Sequence, residues 1–541
     1  MPELFSLRRT TPVVAASLAV ALLWTVSIRS QAPRPVPAAG IDPLHHKIRT
    51  ASADAQRLFD EGLTLFYGFN RGGARRAFLE AATRDPAAAM PHVGLALAAG
   101  PNLNSDPTPA DIDAGCAAAR KATTLARQAD ERGYAGALAA RYCEGLTSGS
   151  ATGYAIDTGE LFQRYPADPD AATLYADSLL SLRPRSPEQN VELVAVLEQV
   201  LSRWPGHIGA NHYYIHAVEG SATPERALSS AHRLETVAPA LGHLLHMPAH
   251  IYSRTGDYAR AIQSNERAVA ADVASMRAVG ADEEQLMYYH HDLESLAVAA
   301  GAAGRLAVAL RAGTAAVSHA AGAHSSASPP AAASSQGATF SPILGFVLLR
   351  FSRWEDALRL SPPAASEPPD PLWYHFARSV ANAQLHRLAP ATQERDEFRR
   401  AAAALPSDAI YRQNQAARVI DVFSAILDAR LAAARGDTAA AVESWQRAVA
   451  AQDRLAYHEP PPVYYSTRES LGAALHRAGR LPEARAVFED DLTRHPRSGR
   501  SLFGLWQTLA ALGLREEAAA AKRSFDNAWT GSDVTLSLVD F

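Results

Sequence analysis

The chain has 541 residues, 48% of them apolar and 20% charged, with a formal net charge of −4. That much apolar chain suffices for a large core or a long solenoid, while the near-neutral balance, without Lys/Arg clusters, lacks the electrostatic footprint that nucleic-acid binding requires. No P-loop, dinucleotide fingerprint or nucleophile elbow is present, which argues against ordinary nucleotide and serine-hydrolase chemistry.

Residues 1–30 set Arg8 and Arg9 before an apolar run from Pro12 to Ile28 and close on Arg29. This reads as a secretory signal or, because the run is long and no A-x-A site follows, as an N-terminal anchor. Either way the chain is expected to be exported, periplasmic or secreted, touching a membrane only through such an anchor. Residues 31–43 form a Pro/Ala linker. The region 44–317 then reads as a run of helical hairpins. Its first, RLFDEGLTLFYGFNRGGARRAFLEAATRDP, sets small Gly62, Ala74 and Ala81 against large Phe78 and stops at Pro86. A helix over 89–99 ends in GPNLNSDPTP, and 111–147 and 157–182 read as two more helix pairs. Cys116 and Cys143, the two cysteines of the chain, fall on neighbouring helices and form either one disulfide or two buried thiols.

From Val191 the register is strict: Leu193, Ala227 and Ala261 are 34 residues apart, as are Pro205 and Pro239. Thirty-four residues is the period of the tetratricopeptide (TPR) hairpin, so the expected fold is all-α, a TPR-like right-handed superhelical solenoid of antiparallel helix pairs. Strand signals are almost absent. A further pair runs from His291 to Val317. The Ser/Ala/Pro-rich stretch 318–340 is expected to be a flexible loop, and 341–541 a C-terminal TPR-like solenoid with a break at SPPAASEPPDP. There Ala484 and Ala518 are again 34 apart, but Ala441 and Ala484 are 43 apart. The insertion of about nine residues holds AYHEPPPVYY, and a proline-stiffened aromatic loop interrupting a repeat is expected to be functional.

The same register organises the histidines. His212 and His216 recur 34 residues later as His246 and His250. With Ala227 and Ala261 at repeat position twenty, His243 falls at position two, His212 and His246 at five, His216 and His250 at nine, and Glu219 at twelve. At about 100° per residue these positions form one narrow stripe, turned away from the helix-packing stripe and toward the concave groove. The next repeat adds His291 at position two and Glu294 at position five. Imidazole and carboxylate converging from three neighbouring helices resemble a metal site, and i, i+4 spacing lets two side chains of one helix share an ion. A polar groove that hydrogen-bonds a peptide or small molecule without metal is the competing reading, and hydrogen bonding between repeats is the third. Pro248 is expected to leave His243 and His246 ahead of the regular helix. Tyr213 accompanies the stripe, although tyrosines in repeat helices usually pack. If the C-terminal insertion folds toward the groove, His458, Glu459, Arg468 and Glu469 would supply a charged clamp or a general acid/base; the alternative for Arg468 and Glu469 is to cap and solvate their own helix. His45, His46, His319 and His324 lie in linkers and are expected to do nothing specific.

The strings FLEAATRDPAAAM, GPNLN, HYYIHA, GHLLHMPAHIYSRTG and EPPPVYYSTRESLG resemble a bacterial family of exported TPR proteins with HYYIH and GHxxHMPxHI motifs. The resemblance implies the fold and the groove and names no reaction. Where that family reads HNxH, this chain reads His291-Asp292-Leu293-Glu294, a change that shifts metal preference toward harder ions.

The sequence therefore points to His212, His216, His243, His246, His250, His291 and Glu294 as ligands of a divalent zinc, iron or manganese ion. Glu219, Asp292, Tyr213, Glu459 and Arg468 are the expected contacts to a peptide, protein or small-molecule ligand. Two alternatives stand beside this reading: a metal-dependent hydrolase or oxidoreductase in the same groove, and a plain protein-interaction scaffold.

Overall fold

A computed structural model describes residues 44–104, 106–145, 147–183, 185–280, 283–320, 341–363 and 370–541. The expected signal and linker, most of the 318–340 loop and the centre of the 361–371 break lie outside these residues. Among the described residues the chain forms 24 α-helices, packed as consecutive antiparallel pairs. In order, α1 (Ala53–Tyr67) pairs with α2 (Arg71–Arg84), α3 (Met90–Ala98) with α4 (Pro109–Leu125), α5 (Ala129–Tyr142) with α6 (Ser148–Arg164) and α7 (Pro169–Leu180) with α8 (Pro187–Arg203). The central pairs are α9 (Ile208–Val218) with α10 (Leu228–Val237), α11 (Gly242–Thr255) with α12 (Tyr258–Val279) and α13 (Glu283–Ala302) with α14 (Leu306–Ala320). The series continues with α15 (Pro342–Arg350) and α16 (Trp354–Arg359), α17 (Asp370–Gln384) and α18 (Leu388–Ala403), α19 (Ala416–Ala434) and α20 (Thr438–Gln452), α21 (Thr467–Arg477) and α22 (Leu481–Arg494), and α23 (Gly499–Ala511) and α24 (Arg515–Ala528). The departure from all-α is a two-residue antiparallel ladder, β1 (Ile410–Tyr411) with β2 (Asn414–Gln415), closed by Arg412 and Gln413 in left-handed conformations.

The period-34 positions lie inside the stack. Leu193, Ala227 and Ala261 are fully buried, since only a small or slim side chain lets two helices approach there. The knob of the first hairpin is Phe78, whose ring lies between Gly62 of α1 and Gly94 of α3; a Cβ on Gly62 would stand 2.6 Å from it. The last hairpins repeat the device: Phe488 of α22 fills the space between Gly472 of α21 and Gly504 of α23, and a Cβ on Gly472 would again stand 2.6 Å away. The core runs as one cluster from Ile48 to Val347, followed by a second and third toward the C-terminus. Helix α15 joins the first two, giving Ile343 and Val347 to one and Leu344, Phe346 and Leu348 to the other.

The stack also closes on itself. Gly256 ends α11 at φ 80°, and its Cα lies so close to the Pro496 carbonyl that no Cβ could be accommodated. The Tyr465 ring abuts Gly301, and Asp533 caps α14 by accepting the Leu306 and Ala307 amides at 2.6 and 2.9 Å. At the other end Cys116 of α4 and Cys143, just after α5, form a disulfide. No helix among the described residues is long and apolar enough to cross a membrane.

The Phe488 slot inverts an ordinary rule. Replacing a mid-helix glycine by alanine usually stabilises by about 0.5–1 kcal/mol; here Gly472→Ala is expected to destabilise by about 1–3 kcal/mol through overpacking. Pairing it with Phe488→Leu should recover part of the loss. Urea unfolding of the three proteins checks this, and a midpoint raised by Gly472→Ala alone would contradict the packing account.

Candidate metal centre

Helix α9 begins at an N-cap supplied by His207, whose Nδ1 accepts the Ala210 amide at 3.1 Å. Helix α11 begins at Gly242, so His243 and His246 both lie within it, contrary to the expectation that Pro248 would leave them outside. Pro248 sits at the seventh position of α11; its missing N–H forfeits one backbone bond, and the packed neighbours hold the helix through it. Because α9, α11 and α13 lie side by side, the stripe drawn from the sequence becomes two clusters of ring nitrogens.

In the first cluster the Nε2 atom of His212 lies 3.1 Å from that of His216 and 3.1 Å from that of His243. In the second the Nε2 atom of His246 lies 2.7 Å from that of His250 and 3.0 Å from that of His291. Glu459 completes the second cluster, with Oε2 3.7 Å from the Nε2 atoms of both His250 and His291. Each set offers ligand atoms within 4.8 Å of one another.

What stands behind two of the three rings sets their tautomers, while the buried Nδ1 of His243 has no hydrogen-bond partner. His212 Nδ1 lies 2.6 Å from the Tyr67 carbonyl and His216 Nδ1 3.0 Å from Glu219 Oε1. The Tyr67 carbonyl can only accept, and burial raises the Glu219 carboxyl less than His250 and His216 lower it, so it is ionised and also only accepts. Both Nδ1 atoms therefore donate, and both Nε2 atoms carry lone pairs. Burial, with the neighbouring imidazoles adding to it, pushes the pKa of His212 well down; His216 is lowered by burial despite Glu219. Two neutral rings thus face each other lone pair to lone pair at 3.1 Å. Such a contact is relieved by a cation shared between the two nitrogens, whether a proton or a metal ion.

The second cluster is built alike. His246 Nδ1 donates to Asn265 Oδ1 at 2.6 Å, and His250 Nδ1 to the second oxygen of Glu219. Burial drives His246 and His291 well down. At His250 burial also opposes charge, but Glu219 and Glu459 outweigh it and hold the pKa up at about 9. A metal ion held on this cluster would require His250 to give up that proton. Burial, reinforced by Glu219 and Glu294, raises the Glu459 carboxyl.

The stripe was expected on an open groove, yet all six histidines are buried or nearly so: His212 and His246 completely, His291 only in part. Periodicity shows which way a side chain leaves its helix and is silent on what later packs over it. The turn after α1 covers the first cluster: Phe69, left-handed at φ 56°, stacks on His243 with ring centroids 5.2 Å apart and meets His212 edge-on at 4.4 Å. The segment 453–466 covers the second. Its Tyr457 rests on Gly220, and Tyr457, His458 and Glu459 line a cleft of about 680 Å³ with His216, His243, His250 and His291. So Glu459 and His458 do reach the groove, as the insertion suggested.

Five residues singled out in the sequence lie elsewhere, among them Glu469, which pairs with Arg350 and Arg500. Glu294 points to Arg412 and the Tyr464 hydroxyl, where it ties the insertion to the β1–β2 turn. It stands in neither cluster, so the harder-ion preference argued from it lapses, and the donor set is imidazole with one carboxylate. Asp292 is fully buried behind His246, its Oδ1 3.5 Å from Nδ1, and burial together with Asp272 raises its carboxyl well up. Tyr213 packs edge-on against Tyr67 inside the core. Arg468 clamps the base of the insertion, bonding Asp453 at 2.8 and 2.7 Å and Asp490 at 2.5 Å.

His46, assigned no role from the sequence, is an anchor. Its Nδ1 donates to Asp170 Oδ2 at 2.8 Å, and the other oxygen of Asp170 accepts the Tyr67 hydroxyl at 2.8 Å and His207 Nε2 at 3.3 Å. Tyr67 is the residue whose carbonyl holds His212, so the N-terminal strap is wired to the first cluster. No spacing in the sequence would have joined residues 124 positions apart.

No protein-family model and no curated protein matches this chain. Among solved structures it is similar to the APC/C hetero-tetramer Cut9–Hcn1, at 10% identity over 89% of this chain and 84% of that one, with a TM-score of 0.28. It is similar also to yeast Tom70, at 12% identity over 88% and 92%, with a TM-score of 0.30. At such scores these likenesses carry no argument about the site, and the fold stands on its own helix pairing.

The Asp170 network has a signed pH dependence. Burial opposes charge on His46, but Asp170, Asp168 and Asp60 outweigh it and raise its pKa from 6.5 to about 9. A folded value above the unfolded one contributes stability fully present below about pH 6.5 and lost as pH rises through about 9. Asp170→Asn is therefore expected to cost about 3–5 kcal/mol near neutral pH, with the gap to the native protein narrowing toward pH 10. Thermal unfolding of both proteins across that range checks it; a gap that does not narrow would contradict the assignment.

Proposed function

We propose that the chain is an exported helical-repeat protein whose cleft holds a divalent transition metal on buried imidazoles and uses it to bind a ligand or partner. The observation that carries this reading is the convergence of three Nε2 atoms, those of His216 and His243 each 3.1 Å from that of His212, with acceptors behind the His212 and His216 rings. Hydrogen bonding to the far nitrogen is how proteins orient imidazole ligands toward a metal. Neutral imidazole suits zinc, copper, iron and nickel; with Glu294 outside the clusters, manganese loses its support. The Cys116–Cys143 bridge favours an oxidising compartment.

A second reading, metal-dependent catalysis in the same cleft, is favoured by Glu459. Its carboxyl is raised by burial and lies beside two ring nitrogens at the cleft surface. A carboxyl there could pass a proton to or from a ligand that a metal polarises.

Protein produced without a polyhistidine tag is expected to carry stoichiometric transition metal by elemental analysis and to lose most of it in His212→Ala/His246→Ala. Native protein that takes up no metal even on dialysis against zinc or copper would leave the plain scaffold as the standing account.

A further inference from the structure

The two imidazole clusters share one carboxylate. Oε1 of Glu219 accepts from His216 of the first cluster and Oε2 from His250 of the second. The rings of His216 and His250 have centroids 5.5 Å apart, and those of His243 and His246 are 5.9 Å apart. Glu219 itself follows α9 as its C-cap, and Arg254 of α11 holds its carbonyl at 3.0 Å. One backbone position therefore sets the aim of two rings on two helices. His216, His243, His250 and His291, two from each cluster, line the same cleft, so any ions held there would present open coordination positions to one shared space.

Resting on the metal reading above, we propose that the centre is binuclear: one ion on His212, His216 and His243, a second on His246, His250 and His291, with Glu219 as the positioning residue that couples them. The ligand class that follows is a small donor molecule entering the shared cleft, where it would complete the coordination of either ion. Three imidazoles leave a zinc- or copper-sized ion short of its usual coordination. Glu459, 3.7 Å from two nitrogens of the second cluster, makes that half the more saturated and leaves the first half with the fewer protein ligands.

The test uses the full chain, stripped of metal and titrated with copper(II). Saturation is expected at two ions per chain, with an electron paramagnetic resonance signal broadened or diminished by coupling between neighbouring ions. His243→Ala and His291→Ala should each retain one ion and show the sharp signal of isolated copper(II). Adding Glu219→Gln to either variant should weaken the remaining ion by about 10–100-fold, because glutamine offers one acceptor where two N–H groups need one each. A purely structural role for Glu219 would lower stability without moving affinity in both backgrounds. Saturation at one ion per chain, or at two with simply additive uncoupled spectra, would overturn the binuclear centre while leaving a metal site in place. No copper bound at all would overturn the metal reading with it. The stoichiometry and spectrum of the native chain decide the matter even if a variant fails to fold.

Discussion

A buried imidazole needs an acceptor for its N–H, and much of the centre of this molecule follows from that need. His212 uses the Tyr67 carbonyl, His246 the Asn265 amide, and His216 and His250 divide one Glu219 carboxylate. Each choice places a proton on the outer nitrogen and turns the remaining nitrogen inward. The acceptors come from unrelated places, a helix end, a neighbouring helix and a helix cap, and all must be in position together. An unmet buried N–H would cost about 1–3 kcal/mol. The histidines thus restrain the helices as much as the helices restrain the histidines.

The sequence was informative about angle and uninformative about depth. A 34-residue register placed His212, His216, His246 and His250 on one face and drew in His243 and His291, because the direction of a side chain from its helix is a local property. Glu219 was on the same stripe, although its role behind the rings was not visible. Burial was not legible, because it depends on Phe69 and on segment 453–466, which pack over the stripe from far along the chain. Glu294 shared the right face and still went elsewhere, since Arg412, 118 residues away, offers it a charge partner. Arg468 was drawn to Asp453 and Asp490 for the same reason. Charged side chains with long reach follow their counter-charges, and periodicity carries no information about where those lie.

The scaffold reading shows the converse strength. Small residues at fixed intervals were legible as close helix contacts, and Gly62, Ala74, Ala81 and Phe78 behave so. What the pattern did not reveal is that Phe78 is gripped from both sides, by Gly62 and by Gly94 of the following hairpin. The glycine on the far side belongs to the next repeat, so the pairing becomes visible only once the hairpins are stacked.

Open repeat arrays touch only their neighbours, so they can melt from one end and fold from any point. The contacts of Gly256 with Pro496, Gly301 with Tyr465 and Asp533 with the start of α14 join parts of this chain about two hundred residues apart. Such pairings raise contact order, and loop closure must precede the contacts that reward it. The chain is then expected to fold more slowly than an open array of the same hairpins. Loss of α22 and everything after it should be felt at α11, within the histidine centre, rather than only at the end that was removed.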